Sequence, residues 1–215
     1  MYAITSNIFQ HISQKDIIWK INTSNKEIFL TFDDGPVERV TDFVLEELSK
    51  YNAKATFFCV GDNVRKHTNI YQKIIEQNHS VGNHTFHHLN GWNYSLHSYI
   101  ANVKMSDVLL KTKLFRPPYG KITPLQRKEL QKDYYVILWS VIPGDFDKKI
   151  SKEKCLERAI DNSDNPGSII VFHDSYKAEE KIRFVLPNFL KHFNDLGYTF
   201  SAITPELCEK EIKAI

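Results

Sequence analysis

Two adjacent carboxylates, Asp33 and Asp34, end a short apolar run in the first part of this sequence. The run before them, at 28–30, is continuous in apolar residues, which is typical of a strand covered on both faces. Gly35 and Pro36 follow at once and indicate a turn. Neighbouring carboxylates repel each other, so a cation or a shared proton normally offsets the repulsion. We interpret the pair as a candidate cation or acid–base site, with a solvated turn as the alternative.

Two histidines, His84 and His88, lie four residues apart after another β-prone run. If this segment turns helically, both imidazoles face the same side. Two imidazoles and one carboxylate oxygen form a common three-ligand shell for a catalytic divalent ion. His87 lies between them and is an alternative ligand at three-residue spacing. The remaining histidines, His79 and His97 among them, are expected to be packed or surface residues.

Three further strand ends carry a charged or titratable side chain. Arg116 precedes two prolines, Asp145 lies in the loop at 139–146, and His173 and Asp174 end an apolar run. Each has a structural alternative, such as a proline-stiffened turn with a solvated arginine. A guanidinium at this position would instead keep a neighbouring carboxylate ionised. Because parallel strands bring their carboxyl ends to one edge of a sheet, the recurrence favours a single shared site.

The elements that must position these residues alternate along the chain. β-Prone runs are predicted at 27–32, 55–60, 80–83, 114–117, 134–139, 168–172 and 198–202, and amphipathic helices at 39–51, 62–77, 95–112, 124–132, 151–163 and 179–195. Thr204 and Pro205 indicate the start of a final helix. This alternation predicts an α/β fold on a mostly parallel sheet, either a closed barrel or an open doubly wound sheet. No glycine-rich phosphate loop follows any run, which argues against a nucleotide-binding fold.

Composition narrows the class of protein. The 215 residues suggest one domain at 26–215, preceded by an N-terminal extension at 1–25 that packs on it. A net charge of +2 argues against a nucleic-acid partner, and no apolar run approaches the roughly 18 residues of a membrane span. Three cysteines with no metal spacing indicate no disulfide framework. The first twenty residues lack the pattern of a signal peptide, so the chain as given is expected to be cytoplasmic, and nothing demands more than a monomer.

Taken in chain order, five segments resemble the five motifs of the polysaccharide deacetylases, carbohydrate esterase family 4 or the NodB-homology domain. They are Thr31-Phe32-Asp33-Asp34-Gly35, His84-Thr85-Phe86-His87-His88, Arg116-Pro117-Pro118-Tyr119-Gly120, the loop at 139–145 and Val171-Phe172-His173-Asp174. The resemblance spans about residues 27–202. It implies a distorted (β/α) barrel of about seven parallel strands, in a family that is often exported or associated with the cell envelope.

The resemblance also implies an activity, the hydrolysis of carbon–nitrogen bonds other than peptide bonds. The expected reaction is metal-dependent removal of N-acetyl groups from a polysaccharide or oligosaccharide that contains N-acetylglucosamine, of the chitooligosaccharide or peptidoglycan type. One alternative is an O-acetyl esterase acting on acetylated xylan or a similar glycan. A second alternative is a catalytically silent homologue that only binds carbohydrate.

Motif by motif, the resemblance assigns roles to particular residues. Asp34, His84 and His88 would hold a divalent ion, with zinc as the first expectation and cobalt or nickel as alternatives. Asp33 would be the general base, and Arg116 would orient it and stabilise its charge.

The later motifs supply the groups expected to stabilise the oxyanion and to protonate the leaving nitrogen. The backbone N–H of Tyr119 would help to stabilise the oxyanion, and Asp145 would tune His173, the general acid. Three departures from the family pattern concern substrate choice. Phe146 replaces the usual Trp, Val171 replaces the usual Leu, and Ile142 stands where the family often has an Asp. The expected sugar-binding residues are Trp92, Tyr119, Phe146 and Val171, with Tyr94 and Tyr176 as further aromatic candidates.

Overall fold

The computed structural model describes residues 16–213. Residues 1–15 of the predicted N-terminal extension therefore lie outside the described residues. Within this part of the chain, eight short strands form a sheet: β1 (Ile17–Ile18), β2 (Glu27–Asp33), β3 (Ala55–Cys59), β4 (Ser80–Asn83), β5 (Leu114–Phe115), β6 (Tyr135–Ile137), β7 (Ile169–His173) and β8 (Thr199–Phe200). Their order is β1-β6-β5-β4-β3-β2-β7, with β8 beside the start of β2. All of these strand pairings are parallel.

Short bridges join the two edges of this sheet. Val141, which follows β6, forms a parallel bridge with Ile170 of β7. Lys20, which follows β1, forms an antiparallel bridge with Ser168. The path of seven strands therefore curves into a distorted barrel rather than an open doubly wound sheet. The predicted α/β fold with a barrel of about seven parallel strands is confirmed.

The helices lie outside the sheet. They are α1 (Val40–Lys50), α2 (Gly61–Lys66), α3 (Thr68–Glu76), α4 (Leu96–Leu110), α5 (Pro124–Leu130), α6 (Lys152–Asp161), α7 (Glu179–Asp195) and α8 (Pro205–Lys213). The single helix predicted at 62–77 is divided in two, because His67 has a non-helical backbone (φ −125°, ψ 49°). The hydroxyl of Thr204 accepts a hydrogen bond from the N–H of Leu207 at 3.3 Å and caps α8 as predicted.

Strands β2, β3 and β7 are mostly apolar because both of their faces are covered. Phe32 of β2 stacks against Phe57 of β3 and Phe172 of β7, with ring centroids 5.1 and 6.2 Å apart. Phe189 of α7 packs edge-on against Phe172 at 5.7 Å. This packing fixes the ends of β2 and β7, which carry Asp33 and His173 in register with each other.

The cysteines and the helices of the described residues show two further features. Cys59, Cys155 and Cys208 are buried and free, so no disulfide joins them. Among residues 16–213, no helix combines the length and the apolar character that a bilayer crossing requires. Strand β1 was missed by the sequence analysis because two isoleucines are too short a run to be read as a strand.

Candidate metal centre and active site

Asp34, His84 and His88 meet beyond the ends of β2 and β4. One ligand atom from each lies within 4.8 Å of the other two. Asp34 Oδ1 is 3.8 Å from His84 Nε2 and 3.0 Å from His88 Nε2. A zinc ion with bonds of about 2.0–2.2 Å to such atoms requires this kind of spacing between its ligands. One carboxylate and two imidazoles are also a donor set that suits a catalytic divalent metal.

The histidines converge through a tight loop rather than through a helix. Thr85 and His88 both have left-handed backbone conformations, with φ of 64° and 55°. Asn83 holds the loop, because its side-chain oxygen accepts a hydrogen bond from the N–H of Thr85 at 2.9 Å. The amide nitrogen of Asn83 donates to the carbonyl of Val103 in α4 at 2.9 Å. The helical turn proposed for this segment is therefore wrong, although both imidazoles still reach one point.

Hydrogen bonding sets the form of His84 that faces the metal site. Its Nδ1 lies 2.7 Å from the carbonyl oxygen of Arg116. Because a carbonyl only accepts, Nδ1 carries the proton and Nε2 keeps the lone pair that a metal needs. Burial lowers the pKa of His84 to about 4, so the imidazole is neutral at pH 7.

Asp34 is held as an anion in an unusual backbone conformation. Its φ is 82°, and its carbonyl accepts a hydrogen bond from the side-chain amide of Asn63 at 2.7 Å. Burial by itself would raise the pKa of the Asp34 carboxyl. The hydrogen bond with His88 and the charges of His173 and His84 outweigh burial and lower this pKa below its usual range.

Asp33 points away from Asp34 and towards a buried guanidinium. Arg116 Nη1 donates to Asp33 Oδ1 and to the hydroxyl of Thr31, both at 2.7 Å. The other carboxylate oxygen, Oδ2, lies 3.9 Å from His84 Nε2 at the metal centre. One oxygen of Asp33 is thus fixed by a charge-assisted hydrogen bond while the other faces the site, as a general base requires.

His173 forms an ion pair with Asp145 on the same edge of the sheet. Asp145 Oδ1 is 2.8 Å from His173 Nδ1, and Oδ2 accepts the backbone N–H of His173 at 2.7 Å. Burial alone would lower the pKa of His173, but the charge and hydrogen bond of Asp145 raise it to about 9. Lys181 steadies the loop by donating to the carbonyls of Asp145 and Asp147 at 3.3 and 2.9 Å. His173 is therefore protonated at neutral pH.

Tyr119 sits on a short 3₁₀ turn at Pro118–Gly120 with a left-handed backbone (φ 61°, ψ 8°). Within residues 16–213, its N–H donates to no protein acceptor. Its ring packs edge-on against the ring of His88 at 4.7 Å and is largely exposed. The residue thus presents a free N–H and an exposed aromatic surface next to a proposed metal ligand.

The other predicted sugar-binding residues fall into different environments. Phe146 packs edge-on against His173 with ring centroids 4.9 Å apart. Trp92 is exposed, and Lys121 Nζ lies 4.9 Å from its ring centroid. Val171 is fully buried in β7. Because Val171 exposes no surface that a sugar ring could contact, its assignment to the sugar-binding surface is corrected.

His87 is not brought into the ligand cluster. Its Nδ1 lies 2.8 Å from the side-chain nitrogen of Asn102, whose oxygen accepts the N–H groups of Phe86 and His87 at 2.9 and 3.1 Å. The residue instead lines a cavity of about 610 Å³ beside the metal centre, together with Asp34, His67, His88, Tyr176 and Lys177. Sequence reasoning missed Asn63, Asn83 and Asn102, because single asparagines in loops carry no spacing signal.

Residues 20–137 match the model of a family described as "Polysaccharide deacetylase". A peptidoglycan-N-acetylglucosamine deacetylase of Bacillus cereus is 30% identical over 202 residues, which cover 87% of this chain and 91% of that protein. Another Bacillus cereus protein of the same name is 35% identical over 156 residues, covering 69% of this chain but only 56% of that protein.

The fold is also similar to that of a solved structure. The crystal structure of a peptidoglycan N-acetylglucosamine deacetylase in complex with 4-naphthalen-1-yl-N-oxidanyl-benzamide superposes with a TM-score of 0.82. The two proteins are 28% identical, and the superposition covers 93% of this chain and 95% of that chain.

Proposed function

Because this chain belongs to the polysaccharide deacetylase family, we propose that it is a metal-dependent hydrolase that removes N-acetyl groups from a peptidoglycan-type glycan containing N-acetylglucosamine. The observation that carries the proposal is the meeting of three groups at one edge of the barrel. These are the ligand cluster, the Asp33–Arg116 pair and the His173–Asp145 pair. The names of the relatives support the choice of glycan.

The proposed resident metal is a zinc ion held by Asp34, His84 and His88. The neutral His84 and the anionic Asp34 are in the protonation states that metal ligands require. A bound zinc ion polarises a carbonyl group and lowers the pKa of a water molecule. The chain's own residues supply the remaining steps.

Asp33 is the proposed general base. Its free oxygen accepts a proton from the water molecule that attacks the acetyl carbon. The N–H of Tyr119 donates to the acetyl oxygen, on which negative charge develops as the tetrahedral intermediate forms. Arg116 holds the Asp33 carboxyl group in place during this step through a charge-assisted hydrogen bond.

His173 is the proposed general acid. An amine leaves poorly as an anion, so the nitrogen must receive a proton as the carbon–nitrogen bond breaks. His173 donates that proton, and the products are acetate and the free amino sugar. Asp145 keeps His173 protonated until this moment, because it raises the pKa of the imidazole.

The test measures acetate released from N-acetylglucosamine oligomers, peptidoglycan and acetylated xylan, by zinc-loaded protein and by protein treated with a chelator. Binding of each glycan is measured on the same samples. We expect release only from the loaded protein and from the exposed-histidine control His97→Ala, and no release from His84→Ala. Release that ignores chelation contradicts the metal-dependent mechanism. Release from acetylated xylan alone supports the esterase alternative, and glycan binding without release supports the silent homologue.

A further inference from the structure

Asp174 follows the proposed general acid directly and has no part in the chemistry above. It is fully buried. Its Oδ1 accepts a hydrogen bond from the N–H of Gly35 at 3.1 Å, and its own N–H donates to the carbonyl of Asp33 at 3.2 Å. The two peptide groups on either side of Asp34 are therefore both held by this one residue at the end of β7.

The contact between Asp174 and the turn is close. A Cβ atom added at Gly35 would lie 1.9 Å from Asp174 Oδ2, well inside contact distance. The same oxygen accepts a hydrogen bond from the hydroxyl of Thr41 at 2.7 Å, and that hydroxyl accepts the N–H of Val37 at 2.8 Å. The carboxylate thus joins the turn after β2 to the first turn of α1, and only glycine fits at position 35.

This arrangement bears on the metal ligand because Asp34 has a φ of 82°. A left-handed conformation is unfavourable for a residue with a Cβ atom and persists only when the surroundings fix it. The conformation sends the side chain of Asp34 towards His88, while that of Asp33 points to Arg116. Without restraint of the flanking peptide groups, the repulsion between two adjacent carboxylates would be relieved by rotation of the turn.

We propose that Asp174 is a positioning residue, which holds Asp34 in the backbone conformation that binds the metal. The inference rests on the proposed function, because it assigns Asp174 a task in the metal site. The positioning role of Asp174 can be distinguished from a purely structural role. A residue that only stabilised the fold would change the free energy of unfolding and leave the metal affinity of the folded protein unchanged.

The first experiment compares zinc affinity, measured by competition with a chromogenic chelator. Asp174→Ala is expected to bind zinc about 10–100-fold more weakly, the usual loss when a group supporting a metal ligand is removed. Asp174→Asn keeps an acceptor for the N–H of Gly35 and offers a donor to the Thr41 oxygen, so it is expected to retain most of the affinity. Val185→Ala, a fully buried change in α7, is the control for lost stability and should leave zinc affinity unchanged.

The second experiment is a double-mutant cycle on unfolding in the metal-free protein. Gly35→Ala should raise the unfolding equilibrium constant about tenfold more in the wild type than in the Asp174→Ala background, where the obstructing carboxylate is gone. If Gly35→Ala changed the free energy of unfolding equally in both backgrounds, the proposed contact between position 35 and Asp174 would be overturned. Wild-type zinc affinity in a folded Asp174→Ala variant would overturn the positioning role.

If the proposed function is wrong, the measurements differ from those expected if only the role of Asp174 is wrong. A wild-type chain that binds no zinc would refute the metal site and, with it, the role of Asp174 in metal binding. A chain that binds zinc but releases no acetate would refute the proposed activity alone. The positioning role would then still be decided by the zinc affinities of Asp174→Ala and Asp174→Asn.

Discussion

Asp33 and Asp34 are neighbours in the chain, and their different surroundings suit them to different tasks. Asp33 is nearly fully buried and bonded to a guanidinium, whereas Asp34 is partly exposed and lies among imidazoles. A carboxylate bonded through one oxygen to Arg116 keeps the other oxygen for a proton, and a carboxylate beside two histidines is suited to bind a cation. The environment of each residue, more than its type, therefore separates the proposed base from the proposed ligand.

Substitution of the proposed base, Asp33, and of a proposed ligand, His84, should separate the loss of chemistry from the loss of metal. Asp33→Asn removes the proton acceptor but no ligand, so we expect it to retain zinc and to lose about 10²–10⁴-fold in kcat. His84→Ala removes a ligand, so we expect it to lose zinc as well. Metal content and acetate release, measured on the same samples, check both. An Asp33→Asn variant with nearly the wild-type rate would contradict the assignment of the base.

The ion pair of His173 and Asp145 predicts the alkaline limb of the pH profile. Because Asp145 raises the pKa of His173 to about 9, activity should fall as the pH rises through that value and the acid loses its proton. A bound divalent cation offsets the charge of Asp34, which places the limb at or below pH 9. Asp145→Asn should move the limb to lower pH. A limb that stays in place in this variant would contradict the assigned pair.

At the scale of elements, the site depends on short strands that end at one edge of the barrel. β5 has only two residues, and Arg116 follows it directly. The guanidinium donates to the carbonyls of Ile137, the last residue of β6, and of Leu138, at 3.2 and 2.9 Å. It also donates to Thr31 and Asp33 of β2. One side chain therefore links three strands across the barrel interior.

Arg116→Met should show how much this link contributes to stability. The change leaves a buried carboxylate without its cation and two carbonyls without a donor, so we expect about 3–5 kcal/mol lower stability. Denaturant unfolding of the metal-free protein measures the change. Arg65→Met is the matched control, because Arg65 pairs with Asp62 at the surface, where such pairs contribute about 1 kcal/mol or less. Equal losses for the two variants would contradict the structural role of Arg116.

At the scale of the whole molecule, the protonation of a buried histidine far from the site affects the free energy of unfolding. His79 precedes β4 and is buried. Its Nδ1 accepts the N–H of Ala55 at 3.2 Å, and its ring packs edge-on against Phe57 at 5.4 Å. Burial lowers the pKa of His79 to about 4, whereas the unfolded chain has the usual value of 6.5. The unfolded state therefore binds more protons between these two values.

This difference predicts how stability depends on pH. The contribution of neutral His79 is fully present above pH 6.5 and is lost as the pH falls towards 4, by at most about 1.4 kcal/mol per pH unit. His79→Asn keeps an acceptor near the N–H of Ala55 but does not titrate. It should therefore be less sensitive to acid than the wild type, although less stable at pH 7. Unfolding free energies at pH 4–7 measure this, and His97→Asn should match the wild-type slope.

The periodicity of the sequence predicted much of the scaffold, for local reasons. Continuous apolar runs such as 28–30 and 169–172 identify strands that are covered on both faces, and the stretches between them have the spacing of helices. Such patterns depend on neighbours in the chain and need no tertiary information. They did not reveal β1 or the break at His67, because a two-residue strand and one non-helical residue leave almost no pattern.

The residue types that could hold a metal and move protons could also be identified. Each of them lies at the end of a β-prone run: Asp33, Asp34, His84, Arg116 and His173. What the sequence by itself determined about this protein is thus its architecture and its inventory of reactive groups. The family resemblance also indicated which of these groups would meet. The tertiary structure alone decided how they are held, that Val171 is buried, and that Asp174 holds the turn around Asp34. Those outcomes depend on loop conformations and on contacts between residues more than a hundred positions apart, which no local pattern encodes.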